Sequence, residues 1–264
     1  MEAYDNEHQL ETRKPCVVFR ISGTFMYVIM LSMPLCAAII AIGLSMIKDF
    51  QASTATACRV WNLFPSVSAA ISCCTPQKYI WRLLIALHTA PRFMVACMYY
   101  NHYLAFRVAG SRRLFEIMVM VNSFLHVAEN FCLLLLSVVG SDENYDIHEK
   151  SFIGFMIFSE CYMLLTLAIF RWSRSGGPWS KQDLRSYSCK TVLAIFNVSS
   201  FLISIYFFFR HNTYCEPGMY SVFAVFEYFV IISNIAFHSS AMFEFGQGQL
   251  VFSETRVNNL LKSM

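Results

Sequence analysis

The residues of this chain best able to do chemistry sit where they are most costly, inside its longest apolar runs. His88 and Arg92 fall in one run, Glu129 and Asn130 in a second, Glu160 in a third and Glu227 in a fourth. His88 and Arg92 are four residues apart and so share one helix face; Glu129 and Asn130 share a face with His126 in the same way. Such a set can do two kinds of work. Arg92 offers a guanidinium suited to phosphate. His88 offers a base for a hydroxyl, with a carboxylate to orient it. This functional reading assigns His88, Glu129 and Glu227 to catalysis, and Arg92, Asn130 and Glu160 to a lipid head group. The other reading is a structural network in which Arg92 only neutralises Glu129 or Glu227. Both stay open from the residues alone. No Cys-x-x-Cys pair or His-rich spacing points to a metal, and the membrane histidines are scattered in depth. Neither a metal nor a cofactor is expected.

The elements that must position these groups are membrane helices. The chain has 264 residues, of which 56% are hydrophobic and only 14% charged, where soluble domains carry about 25% charged residues. About 20 apolar residues suffice to cross a bilayer. Six runs qualify, at about 22–47, 79–106, 114–139, 151–170, 190–209 and 218–243. Helices satisfy their own backbone in lipid, and the alternating segments of a barrel are absent. The expected fold is therefore all-α, a polytopic bundle of six transmembrane helices. Without internal repeats it reads as one transmembrane domain over 1–264, with short cytosolic tails at about 1–20 and 244–264. Residues 1–15 are polar and the first run is long enough to span, so no cleavable signal is expected. The net charge of +3 and the lack of a basic stripe argue against nucleic acid.

With Lys190, the first residue of the fifth run, counted as a charge of the loop before it, thirteen Lys and Arg fall on the side of the termini and five on the other. The positive-inside rule then puts both termini in the cytosol. On the lumenal side, Cys58 and Cys215 lie in different loops. An oxidising lumen permits a bridge between them; two free thiols are the alternative. The sequon Asn197-Val198-Ser199 lies within the fifth run, so no glycan is expected. At ~1.5 Å per residue from the lumenal edge, His88 lies ~12 Å deep, Arg92 ~18 Å, Glu129 ~15 Å, and Glu160 and Glu227 ~14 Å. Four helices thus bring polar groups to one level, beside the kink expected at Pro91. Asn101, His102 and His238 read as interfacial or capping residues. His148, Glu149 and the Arg210–Asn212 stretch read as solvated loop residues near the mouth of the pocket.

Several strings carry a resemblance. LFPSVSAAIS (63–72), PQKYIWRLLIALHTAPRF (76–93), YYNHYL (99–104), HVAEN (126–130), IHEKSFIGF (147–155) and RHNTYCEPGMYSVFAVFEY (210–228) resemble the post-GPI-attachment factors of the Frag/DRAM/Sfk family. The resemblance runs from about residue 20 to about 250. It implies a protein of the Golgi membrane, or of the endoplasmic reticulum membrane, that acts on the lipid of GPI-anchored proteins. The implied step reacylates the lyso-anchor at sn-2 with a saturated chain. The resemblance supplies no catalytic motif. It leaves open an acyltransferase, or a non-catalytic scaffold that presents the anchor to partner remodelling enzymes. A transporter or scramblase would need a polar path through both leaflets, for which Asn197, Asn234, His238 and His102 could supply the cytosolic half.

Overall fold

The computed structural model describes residues 16–72 and 74–254. Six helices are long and apolar enough to cross a membrane. They are α1 (Gly23–Lys48), α4 (Gln77–Leu104), α5 (Arg112–Val138), α6 (Tyr145–Ser173), α7 (Lys181–Tyr214) and α8 (Met219–Ser239). Short helices α2 (Phe50–Thr54) and α3 (Val67–Ser72) lie between α1 and α4, and α9 (Met242–Phe245) follows α8. The six-helix membrane bundle is therefore the fold. Its one addition among the described residues is a two-stranded antiparallel ribbon of β1 (Cys16–Ser22) and β2 (Gln249–Glu254). It ties the tails together, with Ser22 opposite Gln249 and Arg20 opposite Val251. Gly23 follows β1 where a Cβ would run into the Phe245 carbonyl, so the close approach of the two ends requires glycine there.

Local signals set the helix ends. The Ser111 hydroxyl accepts from the Leu114 N–H, and the Asn144 side chain accepts from the Ile147 N–H. Ser180 and Asp183 form a reciprocal capping box at the start of α7. That box starts α7 at Lys181, ahead of the apolar run at 190, because its first turns are polar and lie outside the apolar stretch. Gly218, at φ 79°, turns the chain into α8 in a conformation that glycine adopts freely.

The spans pack in a closed ring, α1 on α4, α4 on α5, α5 on α6, α6 on α7, α7 on α8 and α8 back on α1. Large apolar side chains such as Ile39, Leu83, Phe124, Val192 and Phe209 face outward, as lipid demands. The polar residues lie inside: Arg92, Glu129, Asn130, Asn197 and Asn234 are all buried. Without a hydrophobic drive between helices in lipid, such groups and close packing hold a bundle together. Asn197 is one example, donating to the Val230 carbonyl (2.8 Å) and to Ser233 Oγ (2.8 Å) across α7 and α8. Helix α3 lies at the end of the ring away from the termini, the distal end, where Val67, Ala70 and Ile71 are buried. There Ser45 Oγ of α1 donates to the Ala70 carbonyl (2.7 Å).

Candidate functional site

The ring encloses a cavity with about 910 Å³ of empty space, counting the part open to the outside. All six spans and α3 contribute to its wall. The wall is mostly apolar, from residues such as Trp81, Ile85, Leu133, Phe155, Phe201 and Ile231. Two polar patches interrupt it, one formed by His88, Arg92, Asn234 and His238, the other by Ser68, His148 and Glu227.

The first patch is organised by Glu129, which is fully buried. Its Oε1 lies 2.8 Å from Arg92 Nη2, 2.9 Å from Asn234 Nδ2 and 3.0 Å from His238 Nε2. Asn234 also donates to Ser159 Oγ at 2.7 Å. His238 Nε2 is 2.7 Å from Arg92 Nη2 as well. One ring nitrogen serves one contact at a time: protonated it donates to Glu129, unprotonated it accepts from Arg92. The ring is held flat against Tyr162, with centroids 5.1 Å apart, and near His126 at 4.8 Å. A buried ion pair needs such extra hydrogen bonds to offset the desolvation of its charges.

His88 is buried in the same patch and lines the cavity, but its Nδ1 has no protein partner. No carboxylate hydrogen-bonds to it, so the orienting role expected of Glu129 or Glu227 is not made here. Asn130 turns away from the cavity and donates to the Thr89 carbonyl at 3.0 Å, behind the Pro91 turn of α4. Glu160 is half-buried, with neither carboxylate oxygen partnered, and it does not line the cavity.

Glu227 stands apart from Arg92. Its Oε2 accepts the Val67 N–H at 3.0 Å, holding the start of α3. Around it, α8 grips the chain before α3. Ser221 Oγ accepts from the Leu63 N–H (2.7 Å), Tyr220 donates to Ser66 Oγ (2.9 Å), and Tyr228 donates to the Pro65 carbonyl. The Cys58–Cys215 disulfide, with Cα atoms 5.2 Å apart, fastens the same segment to the end of α7.

Three residues take places the sequence did not suggest. His238 is a central partner of Arg92 and Glu129 rather than an interfacial residue; depth counted along the sequence ignores helix tilt and offset. His148 is buried on the cavity wall instead of solvated, because α6 already begins at Tyr145. It hydrogen-bonds Ser68 Oγ (2.9 Å) and the Val139 carbonyl (2.8 Å). Lys190, counted above as a loop charge, is buried against Glu244 at 2.9 Å, which also accepts from Tyr99 (2.8 Å). A hint was present in the sequence for His148, which lies in one of the strings quoted above. Among the described residues, no three His, Cys, Asp or Glu side chains converge as a metal would require.

Comparison with known proteins covers nearly the whole bundle. Residues 22–248 match the Frag1/DRAM/Sfk1/Cwh43P N-terminal domain. The chain is 42% identical over 234 residues to a Xenopus tropicalis protein named acyltransferase PGAP2, covering 89% of this chain and 92% of that one. It is 39% identical to the post-GPI attachment to proteins factor 2 of Caenorhabditis elegans, over 84% of this chain and 85% of the relative. The Drosophila melanogaster protein of that name is 38% identical, over 87% and 88%. No solved structure matches.

Proposed function

We propose, because this chain belongs to the Frag1/DRAM/Sfk1/Cwh43 family, that it acts in the lipid remodelling of GPI anchors after their attachment to protein. Its step is reacylation of the lyso-anchor at sn-2 with a saturated chain. The family relatives named above supply the setting, one of them as an acyltransferase by name. The observation that carries the catalytic reading is the cavity, apolar along its walls and lined by His88, whose Nδ1 is unpartnered. An acyl chain suits the walls, and the acceptor hydroxyl suits His88, which would take its hydrogen bond and act as base. Arg92 keeps a buried Nε without a partner beside the same wall, a donor for the head group or for an acyl oxyanion.

The protein works in the Golgi membrane or the endoplasmic reticulum membrane, with both termini cytosolic. The excess of Lys and Arg on the side of the termini supports that orientation. So does the disulfide on the distal side, since disulfides persist in oxidising compartments. Its partners are GPI-anchored proteins with their lipid, and membrane lipids. A second reading, a non-catalytic scaffold serving a separate acyltransferase, is favoured by Glu129, whose Oε1 is taken up by its own neighbours.

The test is rescue of cells lacking the protein with His88→Gln, reading the saturation of the anchor lipid on a reporter. Gln is uncharged and hydrogen-bonds, so the fold should persist. Turnover should fall by about 10²-fold or more, the usual worth of a general base. Normal saturation at equal protein level would favour the scaffold.

A further inference from the structure

The geometry points to Ser68 as a nucleophile that carries the acyl group, with His148 as its base. This rests on the acyl-transfer reading above and deepens it by naming how the chain is picked up. His148 Nδ1 lies 2.8 Å from the Val139 carbonyl. A carbonyl only accepts, so Nδ1 bears the proton, and in the neutral ring Nε2 is then a bare lone pair. That lone pair faces Ser68 Oγ at 2.9 Å, so the serine must donate to it. A hydroxyl aimed at an imidazole whose tautomer is fixed by a third group is the arrangement that activates a serine. Both side chains line the cavity.

Ser68 is also held in place more firmly than a loop serine. Glu227, Tyr220, Ser221 and Tyr228 of α8 bind the four residues before it or their neighbours. Such support from rigid elements is what holds a reacting group to a productive geometry.

The reaction balances in two halves. Ser68 Oγ attacks the carbonyl of an acyl ester or thioester while His148 Nε2 takes the hydroxyl proton. The donor's C–O or C–S bond breaks, and His148 hands that proton to the leaving oxygen or sulfur. The lyso-anchor's hydroxyl then attacks the Ser68 ester. His88 takes its proton, and that proton returns to Ser68 Oγ as that bond breaks. In this route His148 is the base for loading Ser68, and His88 is the base for the acceptor hydroxyl.

The experiment uses the purified full chain in vesicles, with labelled dipalmitoyl phosphatidylcholine in one arm and labelled palmitoyl-CoA in the other. The expected result is a palmitoylated peptide containing Ser68 after acid quench and proteolysis. Loading in the first arm identifies a leaflet phospholipid as donor, and loading in the second a soluble thioester. Ser68→Ala should lose the adduct while melting within a few degrees of the wild type. Ser68→Cys should carry a thioester that neutral hydroxylamine cleaves. His148→Gln should slow loading by about 10²-fold or more. Acylation of added lyso-GPI with no adduct at Ser68, or by Ser68→Ala at the wild-type rate, overturns the inference and leaves the acyl-transfer reading standing. Loading of Ser68 with no transfer to lyso-GPI does the reverse.

Discussion

Two polar patches face the same cavity, and they differ in what they leave over. Around Glu129 the charges cancel: one carboxylate oxygen meets an arginine, an asparagine and a histidine within 3.0 Å. At the distal end a single hydroxyl meets a single imidazole nitrogen, whose ring is fixed from its other side by a backbone carbonyl. The first arrangement has the character of a strut, since groups engaged with one another have little left for a substrate. The second holds a polarised hydroxyl at the cavity wall. In this bundle the most expensive residues brace the helices, and inexpensive ones are available for chemistry. His88 lies between the two cases, adjoining the strut but with Nδ1 unspoken for.

The sharpest way to break this comparison is to remove the arginine. Arg92→Ala strands Glu129 without its counter-charge, and breaking one member of a buried pair costs roughly 3–5 kcal/mol. Low cellular abundance and a much lower melting temperature in detergent are expected. A normally abundant but inactive protein would move Arg92 from the brace to the substrate. Next is Cys58→Ser, which opens a bridge between positions separated by 157 residues. Loss of a native disulfide costs about 2–5 kcal/mol. Melting should drop by a similar amount on adding reductant to the wild type, and not further in the variant. Glu227 gives a smaller effect. Glu227→Ala leaves the buried Val67 N–H unpaired at about 1–3 kcal/mol, whereas Glu227→Gln keeps an acceptor oxygen and should retain most stability. Equal loss in both, by thermal melting, would mean that the charge of Glu227 matters rather than its acceptor.

The smallest effect comes from pH. Glu143 is held below its ordinary range by the Gly140 N–H and by Arg82, and Glu216 by Arg210. A carboxylate whose folded value is depressed stabilises above its unfolded value, and that support is lost as pH falls through the folded one. Protection from hydrogen exchange in the 140–146 and 214–218 loops, relative to the intrinsic exchange rate at each pH, should therefore be high at neutral pH and fall below the ordinary glutamate value of about 4.3. Protection that stays unchanged across that range would remove these ion pairs as loop fasteners.

Much of the fold was legible in the sequence because lipid imposes a coarse rule: long apolar runs with few charges must be helices. The first run, expected at 22–47, is Gly23–Lys48, and the third, expected at 114–139, is Arg112–Val138. The rule reads only the apolar stretch, so it missed the polar first turns of α7 and the start of α6 at Tyr145. That second miss left His148 in a loop. The site was less legible. Arg92 and Glu129 were brought to one level by counting residues, and they do meet. Glu227 had nearly the same counted depth and does not join them, because a rise per residue says nothing of helix rotation or of the neighbour a side chain faces. The partner it found, Val67, belongs to a short helix with no signal of its own in the hydropathy. Ser68 was invisible for the same reason: one serine among several gains meaning only when His148 is placed against it.

If this chain alone transfers an acyl group to a lyso-anchor, it should do so with no other protein present. The direct measurement reconstitutes the purified protein alone in vesicles, supplies lyso-GPI with phospholipid or palmitoyl-CoA donors, and follows diacyl product by mass spectrometry. Product is expected from the wild type, with losses of about 10²-fold or more in Ser68→Ala and His148→Gln at a melting temperature within a few degrees of the wild type. Product that appears only after a second protein is added, with any donor, would contradict that and make this bundle a scaffold.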